Sequence, residues 1–306
     1  MMGDTTNNVE SAEVNSPPAI SPLGTPYADL PHFVNEDGEY IFTKCWEPSG
    51  PPRALIYIGH GGGEHCARYE ELASILVNEG YYVFSNDQVG HGQSSGERMH
   101  IEEFTVYVRD TKKYIESVKE RFPDVDDLFI IGFSLGASIA IRLAIENKYM
   151  FRGLVTLAPA LIAHNEFASA WKMKVVQVLA KVMPKMQGED LKSTVLSRDL
   201  DRVEAYNKDP LNWHGGLRTK WSLELMENKN YLENNMKKLE VPILLLHGER
   251  DVVCDVAGSK MIAEKSVSND KTLKTYPGCY HQLLDEPAQD RGKVIKDIID
   301  WINERN

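Results

Sequence analysis

The sequence predicts an α/β fold, a mostly parallel central sheet flanked by helices and interrupted by an inserted helical cap. Three observations predict it. Short apolar runs alternate with segments of helical periodicity along most of the chain, the pattern of a parallel sheet covered on both faces. The runs are almost free of polar residues, as strands buried on both sides require. Roughly 80 residues separate the run ending near Ala160 from the one starting at Val241, far more than the dozen or so a crossover needs. An extra helical segment, at about 161–240, is therefore expected between them.

Taken in order, residues 1–26 are rich in Ser, Asn, Thr and Pro and too poor in apolar groups to order themselves, so they read as a flexible tail. In "HFVNEDGEYIFTKCW" the pair Asp37-Gly38 between two apolar stretches signals a hairpin, hence two antiparallel opening strands. "ALIYIGH", "YYVFSND", "LFIIGFS", "GLVTLAP" and "PILLLHG" read as buried strands. "RYEELASILVNEG", "TVYVRDTKKYIESVKERFP" and "LGASIAIRLAIENK" read as the helices between them, two of them closed by Gly80 and Pro123. Residues 287–306 read as a final packing helix. No fixed-period repeat is present, and 27–306 is expected to form one domain.

Composition narrows the function. The 306 residues carry a formal net charge of -11, which argues against nucleic acid, because that binding needs a basic face. There is no apolar window of about 18 residues to span a membrane, and the polar N-terminus has no secretory pattern. Cys45, Cys66, Cys254 and Cys279 show neither metal-type nor paired spacing, so a reduced, cytoplasmic chain is expected. No metal or cofactor is called for.

The chemistry is expected at "IIGFSLGAS", residues 130–138. A serine hydroxyl is a weak nucleophile until a base takes its proton, and it must be reachable. A sharp strand-to-helix turn lifts Ser134 above the sheet, and Gly132 and Gly136 allow the close approach that a Cβ would block. The developing oxyanion needs backbone donors. The N–H of Leu135, at the start of the helix, is one; the glycine-rich "GHGGGEH" after an early strand offers the other, assigned to Gly62, with His60 bracing the loop. A carboxylate and then a histidine should follow the serine in sequence. Asp251, just beyond "ILLLHG", and His281, after "TLKTYPG", meet that order, with Asp255 as the rival carboxylate. His91 reads as a turn-structuring residue. His60 and His65 lack the spacing of a zinc site.

With these motifs in place, the chain resembles the monoacylglycerol lipases, serine hydrolases of the α/β-hydrolase fold. The likeness runs from about residue 27 to the C-terminus and includes "YADLPHFVNEDGEYIF", "HGGGEHCARYEELA", "DQVGHGQSSGERM", "STVLSRD", "YNKDPL" and "YPGCYH". The resemblance implies hydrolysis of a monoacylglycerol substrate to fatty acid and glycerol, through a Ser134–His281–Asp251 triad and an acyl-enzyme, by a protein peripherally associated with membranes through its cap. It places Glu64, Arg68 and Tyr206 around the polar head of the substrate and Cys254 close to the catalytic centre. The chain departs from the family at "GFSLGA" in place of "GHSMGG", at Gly62 in place of alanine, at Leu284 where relatives often carry histidine, and at Trp213 where some carry cysteine. A homodimer stays open.

The cap segment "FASAWKMKVVQVLAKVMPKM" joins Met and branched side chains to Lys172, Lys174, Lys181 and Lys185, the composition of a helix lying at an anionic interface. The alternative is a solvated cationic face over an ordinary lid. Cys254 reads either as a thiol reachable from the pocket or as a small buried hydrophobe. Rival activities are lysophospholipase, a broader carboxylesterase or an acyltransferase. A non-catalytic lipid-binding protein of the same fold would be expected to lack one of the three groups, and all three are present.

Overall fold

The computed structural model describes residues 19–164, 170–188 and 190–306. The expected flexible tail lies, up to residue 18, outside the described residues, as do positions 165–169 of the cap segment. Residues 19–26 form a closed loop, with an Ile20–Pro26 bridge and the Tyr27 N–H donating to the Ala19 carbonyl at 3.0 Å. Ordered chain therefore begins earlier than composition suggests. Local backbone bonds of this kind leave no mark on apolar content.

The sheet comprises β1 (His32–Val34), β2 (Tyr40–Trp46), β3 (Leu55–Gly59), β4 (Tyr82–Asn86), β5 (Leu128–Phe133), β6 (Gly153–Leu157), β7 (Ile243–Gly248) and β8 (Lys271–Tyr276). Their order is β1-β2-β4-β3-β5-β6-β7-β8. The expected opening hairpin pairs antiparallel, β2 adds antiparallel to β4, and the remaining pairs are parallel. Every residue of β3 to β7 is buried, which is why these strands lack the alternation of a one-sided sheet. The edge strand β8 is partly exposed and carries Lys271, Thr272, Lys274 and Thr275, as an edge that must not pair further should.

Among the described residues the helices are α1 (Glu70–Asn78), α2 (Thr105–Arg121), α3 (Leu135–Glu146), α4 (Ala170–Val182), α5 (Leu200–Lys208), α6 (Thr219–Asn235), α7 (Ala257–Lys265) and α8 (Ala288–Asn303). Strand alternation sorts the core into two layers. Leu55, Tyr57, Ile130 and Leu245 face Ile115 of α2, Ile139 of α3 and Ile262 of α7. Ile56, Ile58, Ile131 and Leu244 face Leu72 of α1 and Ile298 of α8. Gly80 closes α1 as expected, at φ +88°, with the Tyr81 N–H reaching back to Leu76 and that of Gly80 to Val77, the pattern that satisfies terminal carbonyls. None of these helices is long and apolar enough to cross a membrane.

The segment between β6 and β7 carries α4, α5 and α6. Helix α6 is bound to the body: Glu224 accepts the Phe104 N–H at 2.9 Å, Arg142 of α3 donates to Asn228 at 3.1 Å, and Trp221 and Leu232 enter the core. Helix α4 packs on α6 and leaves Val175, Val178 and Val182 exposed, as is Met183 just after it.

Candidate functional site

The strand order builds the site. From β3 the chain moves to β4 on one side and then returns to β5 on the other, and at such a switch point the loops leaving the two strands diverge to open a crevice. The loop after β3 carries Gly61–Glu64 and the turn after β5 carries Ser134.

Ser134 sits between β5 and α3 at φ 50°, ψ −110°, a conformation L-residues rarely adopt and one found where structure over-determines it. Its N–H donates to Leu157 at 2.9 Å and its carbonyl accepts from Ala160 at 3.1 Å, so neighbouring β6 holds the turn. The flanking glycines are sterically required: a Cβ on Gly132 would lie 2.5 Å from the Gly136 carbonyl oxygen, and one on Gly136 would lie 2.2 Å from that of Gly59.

The structure brings the three predicted side chains together. His281 Nε2 lies 3.2 Å from Ser134 Oγ and His281 Nδ1 lies 2.6 Å from Asp251 Oδ2. Asp251 is held by the turn after β7, where the Val253 and Cys254 N–H groups donate to Oδ1 at 2.8 and 2.9 Å. The loops carrying Asp251 and His281 nearly touch; a Cβ on Gly248 would lie 2.2 Å from the Tyr280 carbonyl oxygen. Asp255, the rival, accepts from the Ala257 N–H at 2.8 Å at the start of α7 instead. Burial alone would raise the Asp251 pKa, but the His281 charge and hydrogen bonds from His247 and His281 outweigh it and hold the carboxyl well below the usual range.

Gly62 and Leu135 lie side by side: a Cβ on Gly62 would stand 3.9 Å from that of Leu135. Leu135 is the first residue of α3, so its N–H has no partner within the helix. The buried Glu64 fixes the loop that presents Gly62. Its carboxylate accepts from the Gly61 N–H at 2.7 Å, Tyr69 at 2.6 Å, Arg68 at 3.0 Å and Gln282, next to His281, at 2.7 Å. Burial pushes the Glu64 pKa up, yet these donors, Arg68 foremost, bring it below the usual value. Arg68 lies 5.0 Å over the Tyr206 ring and pairs with Asp285. The three residues assigned to the substrate's polar head thus form one cluster, with Glu64 satisfied from within the protein.

His60 braces the loop as read from sequence, contacting the Gly61 carbonyl at 2.7 Å and accepting the Gln88 N–H at 2.9 Å. His91 sits in its turn against the Val89 carbonyl at 3.1 Å. The four cysteines are free thiols. Cys254 is buried beside Ser134 and Asp251, and burial, with the Asp251 charge, pushes its thiol well above the ordinary range, so it stands there as a neutral SH. Trp213 donates its backbone N–H to the Gly63 carbonyl at 2.7 Å, joining the cap to the loop. Leu284 packs on the apolar layer shared with α8.

Three contacts are invisible to motif reading. Phe133 packs against His281 with ring centroids 4.8 Å apart and the rings tilted by 51°. The Trp221 ring fills the space beside Gly62, where a Cβ would come within 2.8 Å of it. His247 approaches Asp251 Oδ2 at 3.2 Å. Of these, His247 had a signal: a histidine amid the apolar run of β7.

Among these groups a hydroxyl, an imidazole and a carboxylate form a continuous hydrogen-bonded row. That arrangement suits acyl transfer through a covalent intermediate. Residues 50–288 match the family described as "Serine aminopeptidase, S33". The chain is 41% identical over 290 residues to a "Monoglyceride lipase" of Mus musculus, covering 95% of each. Its fold is similar to that of a monoacylglycerol lipase of Paleococcus ferrophilus, with TM-score 0.78, 26% identity and coverage of 87% of this chain and 99% of that one. A soluble variant of monoglyceride lipase from Saccharomyces cerevisiae superposes with TM-score 0.80 at 22% identity, covering 90% and 96% of the two chains.

Proposed function

The chain belongs to the monoglyceride lipase family of α/β-hydrolases and is a carboxylic ester hydrolase, and on that premise we propose that it cleaves monoacylglycerols to free fatty acid and glycerol. The observation that carries the reading is the bridge of His281 between Asp251 at 2.6 Å and Ser134 at 3.2 Å.

In this reading His281 Nε2 takes the Ser134 proton as Oγ attacks the ester carbonyl, and Asp251 holds the Nδ1–H and stabilises the imidazolium. The Gly62 and Leu135 N–H groups receive the oxyanion. Collapse of the tetrahedral intermediate breaks the ester bond, and His281 returns the proton to the departing glycerol oxygen. Water, deprotonated by His281, then attacks the acyl-enzyme and releases the fatty acid and Ser134. Arg68 and Tyr206 line the side on which glycerol leaves, while Glu64 anchors the loop from behind.

The exposed Val175, Val178 and Val182 of α4 and Met183 just beyond it, with Lys174, Lys181 and Lys185 beside them, support docking of the cap on an anionic lipid surface. The test is glycerol release from a monoacylglycerol by wild type beside Ser134→Ala, with a lysophospholipid and a short soluble ester in parallel. Wild type is expected to prefer the monoacylglycerol and Ser134→Ala to lose at least about a thousandfold. Preference for the lysophospholipid, or activity surviving in Ser134→Ala, would sink the reading.

A further inference from the structure

We propose that His247 is a positioning residue for the reaction: a second imidazole that meets the same Asp251 oxygen as His281 and fixes the carboxylate on which His281 depends. The proposal rests on the triad reading above.

His247 lies near the end of β7, four residues before Asp251, and both side chains are entirely shielded from solvent. Its Nε2 is 3.0 Å from the Cys254 carbonyl oxygen and 3.2 Å from Asp251 Oδ2. Both partners only accept, so in the neutral ring the hydrogen sits on Nε2. Nδ1 lies 2.8 Å from the hydroxyl of Ser259, buried on α7, which donates to it and fixes that tautomer. A ring nitrogen's hydrogen is set in this way by the bond the other nitrogen makes.

The carboxylate is thereby held at both ends. Oδ1 takes the Val253 and Cys254 N–H groups, and Oδ2 takes His281 at 2.6 Å and lies 3.2 Å from His247 Nε2, whose hydrogen is shared with the Cys254 carbonyl. Without His247, Oδ2 would be held only by the ring it is meant to orient. A buried carboxylate loses little by exchanging a water donor for an imidazole one, but it loses much when a donor is removed and not replaced. A polar side chain in a fully buried strand needs such a reason: every other residue of β7 is apolar.

Two isosteric variants separate positioning from packing. Gln places its amide nitrogen near the Nε2 position of a histidine, facing Asp251; Asn reaches only the Nδ1 position, facing Ser259. His247→Asn and His247→Leu are expected to lower kcat for monoacylglycerol hydrolysis by about ten- to a hundredfold, the worth of a hydrogen bond to a charged group, with KM within about twofold. His247→Gln is expected to recover most of that loss. If His247→Leu does not fold, the Asn and Gln pair decides. Equal kcat in those two variants, or a loss confined to KM, overturns the proposal. Independently, nitrogen-15 NMR of labelled imidazoles is expected to show His247 carrying a hydrogen on Nε2; a ring with its hydrogen on Nδ1 alone overturns it. Ser134→Ala is measured alongside: if it stays active the triad reading fails, whereas an inactive Ser134→Ala with a fully active His247→Asn removes the clamp alone.

Discussion

Ser134 is held at a positive φ, and Gly62 has no room for a side chain, so the placement of the Ser134 hydroxyl and of the Gly62 N–H depends on backbone geometry. At Gly62 the neighbour is the Trp221 ring, 2.8 Å from where a Cβ would stand, and a buried ring anchored to Tyr107 at 3.2 Å does not yield as a flexible chain end would. Gly62→Ala is therefore expected to displace the loop and lower kcat about tenfold or more, since small displacements of an oxyanion donor are costly. The check is kcat for Gly62→Ala against Gly62→Ala/Trp221→Leu, in which the shorter side chain relieves the clash and restores part of the rate. The motif around Gly62 was legible in the sequence; its ring neighbour, more than 150 residues away in the chain, was not.

At the scale of elements, the turn between β5 and α3 works because strand and helix approach with no Cβ between them. Gly132→Ala meets backbone atoms of Gly136 and Ala137 at 2.5–2.6 Å, which no rotamer change relieves. A destabilisation of about 1–3 kcal/mol or more is expected, read as a lower unfolding midpoint in urea. Helix α4 makes the opposite case. Val178 and Val182 are 64% and 70% exposed, so replacing them changes little inside the protein. Val178→Glu/Val182→Glu is expected to leave thermal stability and short-ester hydrolysis intact while reducing retention on anionic vesicles about tenfold or more, as loss of buried apolar area and gain of negative charge require. Co-sedimentation with phosphatidylserine vesicles checks it. The helical content and mixed apolar and basic character of this segment were legible in advance, because helical periodicity is local. Which of its valines point outward is set by α6 beneath it.

For the whole molecule, buried carboxylates tie the site to acid stability. Glu64 and Asp251 are both depressed in the folded state, so each contributes stability that is complete above the ordinary carboxylate range near pH 4 and is lost as pH falls below it toward the folded value. Asp285 acts in the opposite sense: burial, with Glu64 nearby, raises it against the pull of Arg68, so its ionised form costs stability at neutral pH. Asp110 is likewise raised by burial, but Glu70, Glu97, Glu102, Asp209 and Asp290 are lowered by their partners, so depressed carboxylates predominate and Tm is expected to fall as the pH drops below about 4. Glu64→Gln is expected to lower Tm at neutral pH and to flatten part of that acid slope. A wild-type and Gln pair with parallel Tm curves would show that Glu64 does not carry this dependence.

The sequence by itself determined the strands, their burial on both faces, the serine turn with its glycines, and the chain order of serine, carboxylate and histidine, because each is written in short-range pattern or backbone sterics. Only the tertiary structure decided which carboxylate meets His281, what packs on Gly62 and that His247 lies against Asp251. His281 and Ser134 are 147 residues apart and His281 and Asp251 are 30 apart. Their distances follow from strand order, from the close approach at Gly248 and from helices delivered by other parts of the chain, which no local pattern encodes.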